Sequence, residues 1–233
     1  MQDRLFIFND ENRITQKTVE YGSTVNPIAD QGKEGHTFKH WSLEAGGATP
    51  FDFTTKIYQT TTVYAVYQIN QYNVVFNDTD PWTDTTTEYD RQVVDHGSKA
   101  SEPDPEPTKE GHTFCGWMNG NVAYDFDLPV TGDLTLTSCY TRNKVTVTFM
   151  DGSNQFDQKQ IDYGTKVTTT DTFPTKEHNI FKYWSEDNTN AFDFDNTVIK
   201  QDKTLYSVYE EVLPPVITHT PLYWTNDKVL VTV

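Results

Sequence analysis

KEGHTFKHW, residues 33–41, occurs again as KEGHTFCGW at 109–117 and in looser form as KEHNIFKYW at 176–184. Each copy ends on a tryptophan: Trp41, Trp117 and Trp184. Upstream of each lies an aromatic-glycine pair, at Tyr21-Gly22, His96-Gly97 and Tyr163-Gly164. Downstream lies an aromatic-Asp-Phe tripeptide, at Phe51-Asp52-Phe53, Tyr124-Asp125-Phe126 and Phe192-Asp193-Phe194. A run of alternating apolar residues then closes each unit on Tyr67, Tyr140 or Tyr209. The tryptophans are 76 and 67 residues apart. The chain is therefore a tandem array with a period of about 70 residues, and such a period decides the architecture before any single element does.

The period divides the 233 residues into three small domains, 1–68, 69–141 and 142–210. The remainder, 211–233, contains Pro214-Pro215 and reads as a linker and the truncated start of a following module. Met1 reads as a start residue added to an excised fragment. Domains of this size lie near the lower limit for a self-sufficient core. An aromatic content of 14% meets that difficulty, because large rings bury much area per residue. The hydrophobic fraction, 35%, is low but clustered at repeating positions, which separates the chain from a disordered one. No apolar run is long enough to span a membrane, and the N-terminus lacks a signal-peptide core.

A net charge of −16 argues against binding to nucleic acid or an anionic membrane through a general field. Residues 69–141 hold most of it, with three basic against thirteen acidic side chains. That excess gives either a solvated acidic surface or a patch for a basic partner.

Within the first domain, LFIFND and ITQKTVEYG predict a hairpin that stops at Gly22, where a positive φ suits glycine. NPIADQGKEG holds at most one short helix, with Pro27 near its start and Gly32 after its end. HTFKHW is a third strand, and TTVYAVY a fourth with Val63, Ala65 and Tyr67 on one face. The second domain repeats this plan with a longer first hairpin: Phe76 to His96 is 20 residues, against 14 from Phe149 to Tyr163. The added segment, TDPWTDTT, places Trp82 in an acidic loop between Asp80 and Asp84. SEPDPEPTKEG predicts an extended surface segment and no helix. The linkers QINQ and TRNK are short.

This succession of strand, YG-x-x-V, prolines, G-x-T-F-x-x-W, F-D-F and a closing L-Y-x-x-Y strand resembles the Listeria–Bacteroides repeat, also called the B repeat of internalins. The resemblance runs from about residue 5 to 209. It implies an α+β, mostly β fold: tandem small β-grasp-like (ubiquitin-like) domains in an extended array, each a mixed sheet crossed by a short helix. It also implies an extracellular, cell-wall-associated or secreted bacterial protein of the Gram-positive, internalin-like kind. There such repeats stand between a receptor-binding domain and a wall anchor. Two departures stand out. Tyr67, Tyr140 and Tyr209 occupy a position where members close on tryptophan. His178 replaces the glycine of the first two copies, which leaves the form of that turn open.

Candidate chemistry is sparse. His36 and His112 recur, and His40 follows His36 by four residues, a zinc-like spacing. The stretch nevertheless reads as strand and no third ligand is evident, so these histidines are structural or surface residues. Asp78, Asp80 and Asp84, with Asp193 and Asp195, offer oxygens of the calcium-binding kind, but neither loop has the glycine and glutamate order of an EF-hand. Asp-rich turns are ordinary hairpin chemistry, and no metal or cofactor is assigned. Cys115 and Cys139 form a candidate disulfide if their strands are neighbours and share a face. Strict alternation sets Cys115 on the side of Trp117 and Cys139 opposite Leu136, and free thiols are the alternative. There is no nucleophile elbow, no cysteine paired with a recurring histidine and no phosphate-cradling loop, so no catalytic residue is named. Trp82, Asp80 and Asp84 are candidate contact residues, with packing of Trp82 on its own hairpin as the alternative.

The expected function is a non-enzymatic stalk or spacer that projects a distal adhesion domain, a monomer with neighbouring domains in the full-length chain. The alternative is an adhesion module that itself binds a host-cell surface protein or a glycan through the acidic second repeat.

Overall fold

Valine, isoleucine, threonine and aromatic residues alternate with polar ones through the apolar runs, the period of a strand with one wet face. In the computed structural model every such run within the described residues is a strand. The structure describes residues 2–9, 12–29 and 32–213, so the expected start of a following module, from 214 on, lies outside the described residues.

The first repeat contains β1 (Gln2–Asn9), β2 (Asn12–Glu20), β3 (His36–Ser42) and β4 (Thr61–Ile69). The second contains β5 (Gln71–Thr79), β6 (Thr86–Asp95), β7 (His112–Asn119), the two-residue β8 (Val122–Ala123) and β9 (Leu134–Arg142). The third contains β10 (Lys144–Asp151), β11 (Asn154–Asp162), β12 (Asn179–Ser185) and β13 (Lys203–Glu211). Each repeat builds its own sheet, in the orders β2-β1-β4-β3, β6-β5-β9-β7-β8 and β11-β10-β13-β12. The opening hairpin is antiparallel, and the last strand runs parallel beside the first. Parallel neighbours need a crossover; here it consists of the aromatic-glycine turn, the tryptophan strand and the F-D-F loop.

Register also aligns the repeats. Ile7 pairs with Val63 as Phe76 pairs with Leu136 and Phe149 with Leu205, so Ile7 holds the position of those two phenylalanines. Each core gathers around its tryptophan: Trp41 with Val25, Ile57 and Val63; Trp117 with Phe76, Val130 and Leu136; Trp184 with Phe149, Ile199 and Leu205. Burying rings of this size supplies much of what so small a domain can gain. Trp41 Nε1 donates to the Ile28 carbonyl at 3.2 Å and Trp184 Nε1 to Thr170 Oγ1 at 3.1 Å. Trp117 Nε1 has no hydrogen-bond partner among the described residues; Pro103, at the position of Ile28 and Thr170, has no side-chain hydroxyl to offer.

Two loops close each core by the same bonds. Gly22, Gly97 and Gly164 donate to the carbonyls of Ile57, Val130 and Ile199, all at 2.8 Å. The amides of Phe51, Tyr124 and Phe192 donate to the carbonyls of Trp41, Trp117 and Trp184. The aspartate of each F-D-F element turns its own loop: Asp52, Asp125 and Asp193 accept the amide two residues on.

The described residues of NPIADQGKEG, 26–29 and 32–35, are not helical, and no helix occurs among the described residues. Asn26 is kept out of the helical region by Pro27, the segment is too short to offset helix nucleation, and its Ile28 carbonyl serves Trp41. The fold is mostly β, and the expected α component does not occur among the described residues.

The described residues group into two compact units: those up to Lys109 with Phe114–Tyr140, and Glu110–Thr113 with those from Thr141 on. The first holds the sheets of repeats one and two. The turn Glu110–Thr113, at the start of β7, thus groups with the third repeat.

Candidate functional site

The acidic loop of the second repeat is a tight turn. Asp80 Oδ1 accepts the Trp82 amide at 2.8 Å and the Thr83 amide at 3.1 Å, and the Asp80 carbonyl accepts the Asp84 amide at 2.8 Å. The Trp82 amide holds the Asp80 carboxyl below the ordinary range against the opposing effect of burial, with help from the Thr83 amide. Asp84 has a left-handed backbone, φ 58°. Asp80 is therefore occupied in building the turn, while Trp82 is 46% exposed at its tip.

Asp78 has a different role. It is buried at the end of β5, where Oδ1 accepts Ser138 Oγ at 2.8 Å and Tyr140 OH at 2.7 Å, and Oδ2 meets Lys109 Nζ at 2.6 Å. Burial opposes its charge, but hydrogen bonds from Lys109, Tyr140 and Ser138 outweigh that and keep the carboxyl below its ordinary value. Burial and then the bond to Asp78 push the Tyr140 phenol up. In the third repeat Asp151 accepts Ser207 Oγ at 2.7 Å and Tyr209 OH at 2.8 Å. The closing tyrosine thus anchors its sheet by a hydroxyl that a tryptophan would lack.

Cys115 and Cys139 are bonded, with Sγ–Sγ 2.07 Å and Cα–Cα 5.2 Å. The candidate disulfide is thus formed; strict alternation put Cys115 on the side of Trp117, and a bulge explains why it lies on the other. In β3 and β12 the register slips between Phe38 and His40 and between Phe181 and Tyr183, so Lys39 and Lys182 point outward while Phe38 and Trp41, three apart, both point in. Cys115 holds the Lys39 position and is followed by Gly116 at φ 115°, a residue suited to a bulge. It therefore turns to the outer face, where Cys139 also lies.

The histidines serve loops. His36 Nδ1 and His112 Nδ1 donate to the carbonyls of Glu34 and Glu110 at 2.8 and 3.1 Å, and His40 Nε2 to Gly47 at 3.0 Å. Asp193 caps Asp195 and Asn196, each amide at 3.0 Å. Among the described residues no group of three or more His, Cys, Asp or Glu is placed to hold a metal.

Residues that composition did not single out make the most elaborate recurring contact. Asn70, in the linker after β4, donates its amide to the Gly35 carbonyl at 2.8 Å and accepts the His96 amide on its own carbonyl at 2.8 Å. Its side chain accepts Thr37 Oγ1 at 2.7 Å. Asn143 repeats all three bonds in the other unit, with Gly111 at 2.9 Å, Tyr163 at 2.8 Å and Thr113 at 2.6 Å. The third position of each linker is asparagine, and each Asn bonds a G-x-T turn: that shared triplet was the signal available in the sequence. The glycines are needed for approach as well as for φ (67° and 71°). A Cβ on Gly35 would stand 1.9 Å from the His96 ring, and one on Gly111 2.1 Å from Tyr163. Tyr163 OH also donates to Glu110 at 2.5 Å, holding that carboxyl below its ordinary range with help from Lys200 at 3.2 Å.

The residue pattern of the Listeria-Bacteroides repeat domain matches this chain three times, over residues 6–66, 72–138 and 146–208. The chain belongs to this repeat family. Among relatives of these repeats, two proteins of Evansella cellulosilytica bear the names "Putative membrane protein" and "Putative Gly-rich membrane protein". They are 30% and 31% identical over 87% and 82% of this chain. Internalin H of Listeria monocytogenes is 31% identical over 59% of it. The matches cover 31%, 22% and 25% of those proteins, so the chain spans a third or less of the length of each. Among the described residues no helix is long and apolar enough to cross a membrane.

Proposed function

We propose that the chain is a non-enzymatic spacer of an extracellular Gram-positive protein, cell-wall-associated or secreted, whose repeats hold a distal adhesion domain away from the surface. One observation carries this reading: each repeat closes a core around its own tryptophan, and the chain between repeats forms the same glycine-asparagine-aromatic clamp twice. The likeness to internalin H and to two proteins with membrane in their names supports a surface location. The reading takes 1–68, 69–141 and 142–210 as the domains, without a cofactor, nucleic-acid partner or membrane insertion, in a monomeric chain. It extends to the fold: a mixed sheet with first and last strands parallel at its centre is β-grasp-like, an extended segment replacing the crossover helix. A helical signature in far-ultraviolet circular dichroism would overturn that assignment.

Small-angle scattering tests the spacer. By the size scaling of folded domains, a compact chain of this length gives a radius of gyration of about 17–18 Å, and three domains in line give roughly 27 Å. The larger value is expected, and the smaller would sink the proposal.

A second reading rests on Trp82, 46% exposed on an insertion without counterpart in the other repeats. Under it, the acidic second repeat binds a host-cell surface protein or glycan. Trp82→Ala would then abolish binding to host cells, whereas a spacer keeps whatever binding its distal domain confers.

A further inference from the structure

Tyr21, His96 and Tyr163 hold one position, the residue before the glycine that ends each opening hairpin. His96 and Tyr163 are half-buried, each ring filling the space beside a side-chain-free turn, at Gly35 and Gly111. Tyr21 is 61% exposed. Its ring lies edge-on to Tyr58, centroids 5.3 Å apart, and Tyr58 is itself exposed. Tyr58 in turn holds the position of Lys200, the residue after the buried isoleucine, which reaches Glu110 in the third repeat.

We propose that the Tyr21–Tyr58 face is the acceptor half of a further junction, and that its occupant is a Lys-Glu-Gly-His-Thr turn of another repeat of this family. The chemistry is that of the two junctions already formed. A ring needs a residue without a side chain to pack against, and a tyrosine hydroxyl in the Tyr163 position needs the glutamate just before that glycine. Tyr21 supplies both the ring and the hydroxyl.

This chain's own turns do not qualify. Those at Gly35 and Gly111 are already taken, and the third carries His178, whose Cβ stands where the ring would pack. A second copy of the chain is therefore not the occupant, and the surface selects a glycine-bearing turn from a different repeat. The inference goes beyond the spacer reading: a compact scattering profile would end that reading and leave this one standing.

The experiment places a second copy of residues 2–70 ahead of Gln2, so that an added Gly35 turn precedes Tyr21. The added copy carries Tyr21→Phe, so that only the original repeat keeps a tyrosine there; both chains are nitrated with tetranitromethane, and the rate at Tyr21 is followed by mass spectrometry of its peptide. The expected result is a rate about tenfold lower in the extended chain, the factor given by ~1.4 kcal/mol, and a return to the original rate when the added copy carries Gly35→His. That substitution reproduces the turn of the third repeat, which folds with histidine there, so the added repeat keeps its fold. An unchanged rate in the extended chain, or a slowing that survives Gly35→His, overturns the proposal.

Discussion

The turns at Gly35 and Gly111 and the turn at His178 share a backbone and differ in what faces outward. All three have a left-handed residue, with φ 67°, 71° and 57°. In the first and third repeats the next amide, of His36 or Asn179, donates to Lys33 or Lys176 at 3.0 and 3.1 Å. All three turn residues offer their carbonyl to the linker, to Asn70 at 2.8 Å, Asn143 at 2.9 Å and Val212 at 2.8 Å. Beyond the backbone the likeness ends. Thr37 and Thr113 bond an asparagine side chain, whereas Ile180 and Val212 stand in those places and are exposed. The open form of the third turn is thereby resolved: the backbone is kept and the clamp is not. Histidine forms the turn at the cost of some backbone strain. Glycine is required where a ring must come within contact of the turn.

The contrast can be broken at four points. Gly111→Ala adds a left-handed strain and a Cβ overlapping the Tyr163 ring, and is expected to cost about 3 kcal/mol, read by chemical denaturation. A cost below that of an ordinary exposed glycine-to-alanine change would mean the ring is not fixed there.

Lys109 and Lys176 open the second and third turns but find different partners. Lys109 pairs with buried Asp78 at 2.6 Å, while Lys176 lies over the Tyr209 ring at 5.6 Å. Asp78→Asn is expected to destabilise by about 2 kcal/mol at neutral pH, since it strips a charge partner from a half-buried lysine. The sign of the pH dependence follows from the lowered Asp78 value. The carboxylate's contribution is fully present above the unfolded aspartate pKa of about 4 and is lost as pH falls through the lower folded value. Unfolding titrations should therefore show the gap between wild type and Asp78→Asn narrowing below about pH 4; a constant gap would refute a charged Asp78.

His178→Gly runs in the opposite direction to Gly111→Ala. Relief of strain, less the added freedom of the unfolded chain, gives an expected stabilisation of about 0.5 kcal/mol, visible as a raised melting temperature. Asn70→Ala removes one exposed side-chain bond and leaves both backbone bonds of the clamp, so about 0.5 kcal/mol is lost. A larger loss in differential scanning calorimetry would show that the asparagine side chain, and not the backbone, holds the junction.

Much of the fold was legible because the repeating signals are short-range. Aromatic-glycine, G-x-T-F-x-x-W and F-D-F each combine a core ring with the residue that turns the chain beside it, and those elements lie where the period put them. What could not be read depends on pairing across distance. Asp78 and Tyr140 are 62 residues apart, and nothing local marks them as partners. Alternation put Cys139 opposite Leu136, as found, but misplaced Cys115, because one bulge residue shifts every position beyond it. The helix failed for the opposite reason: its local signals, a proline at one end and a glycine at the other, also suit an extended loop, and only the tryptophan's claim on Ile28 selects between them. The candidate contact residues divide likewise. Asp80 is occupied in its own turn, while Trp82 and Asp84 are exposed.

One further property follows from the parallel pair at the centre of each sheet. The chain enters a repeat at one end of its first strand and leaves at the far end of its last, and these strands are bonded neighbours pointing the same way. Tension along the polypeptide would slide the two strands lengthwise past one another. Their hydrogen bonds would then carry load together, where a hairpin pulled from its open end surrenders them one at a time. Forced unfolding reports the unfolding barrier and not the equilibrium stability, so each repeat is expected to resist stretching more than its modest core suggests. Single-molecule extension should give one tall rupture per repeat. A gradual, featureless yielding would show that this geometry bears no load.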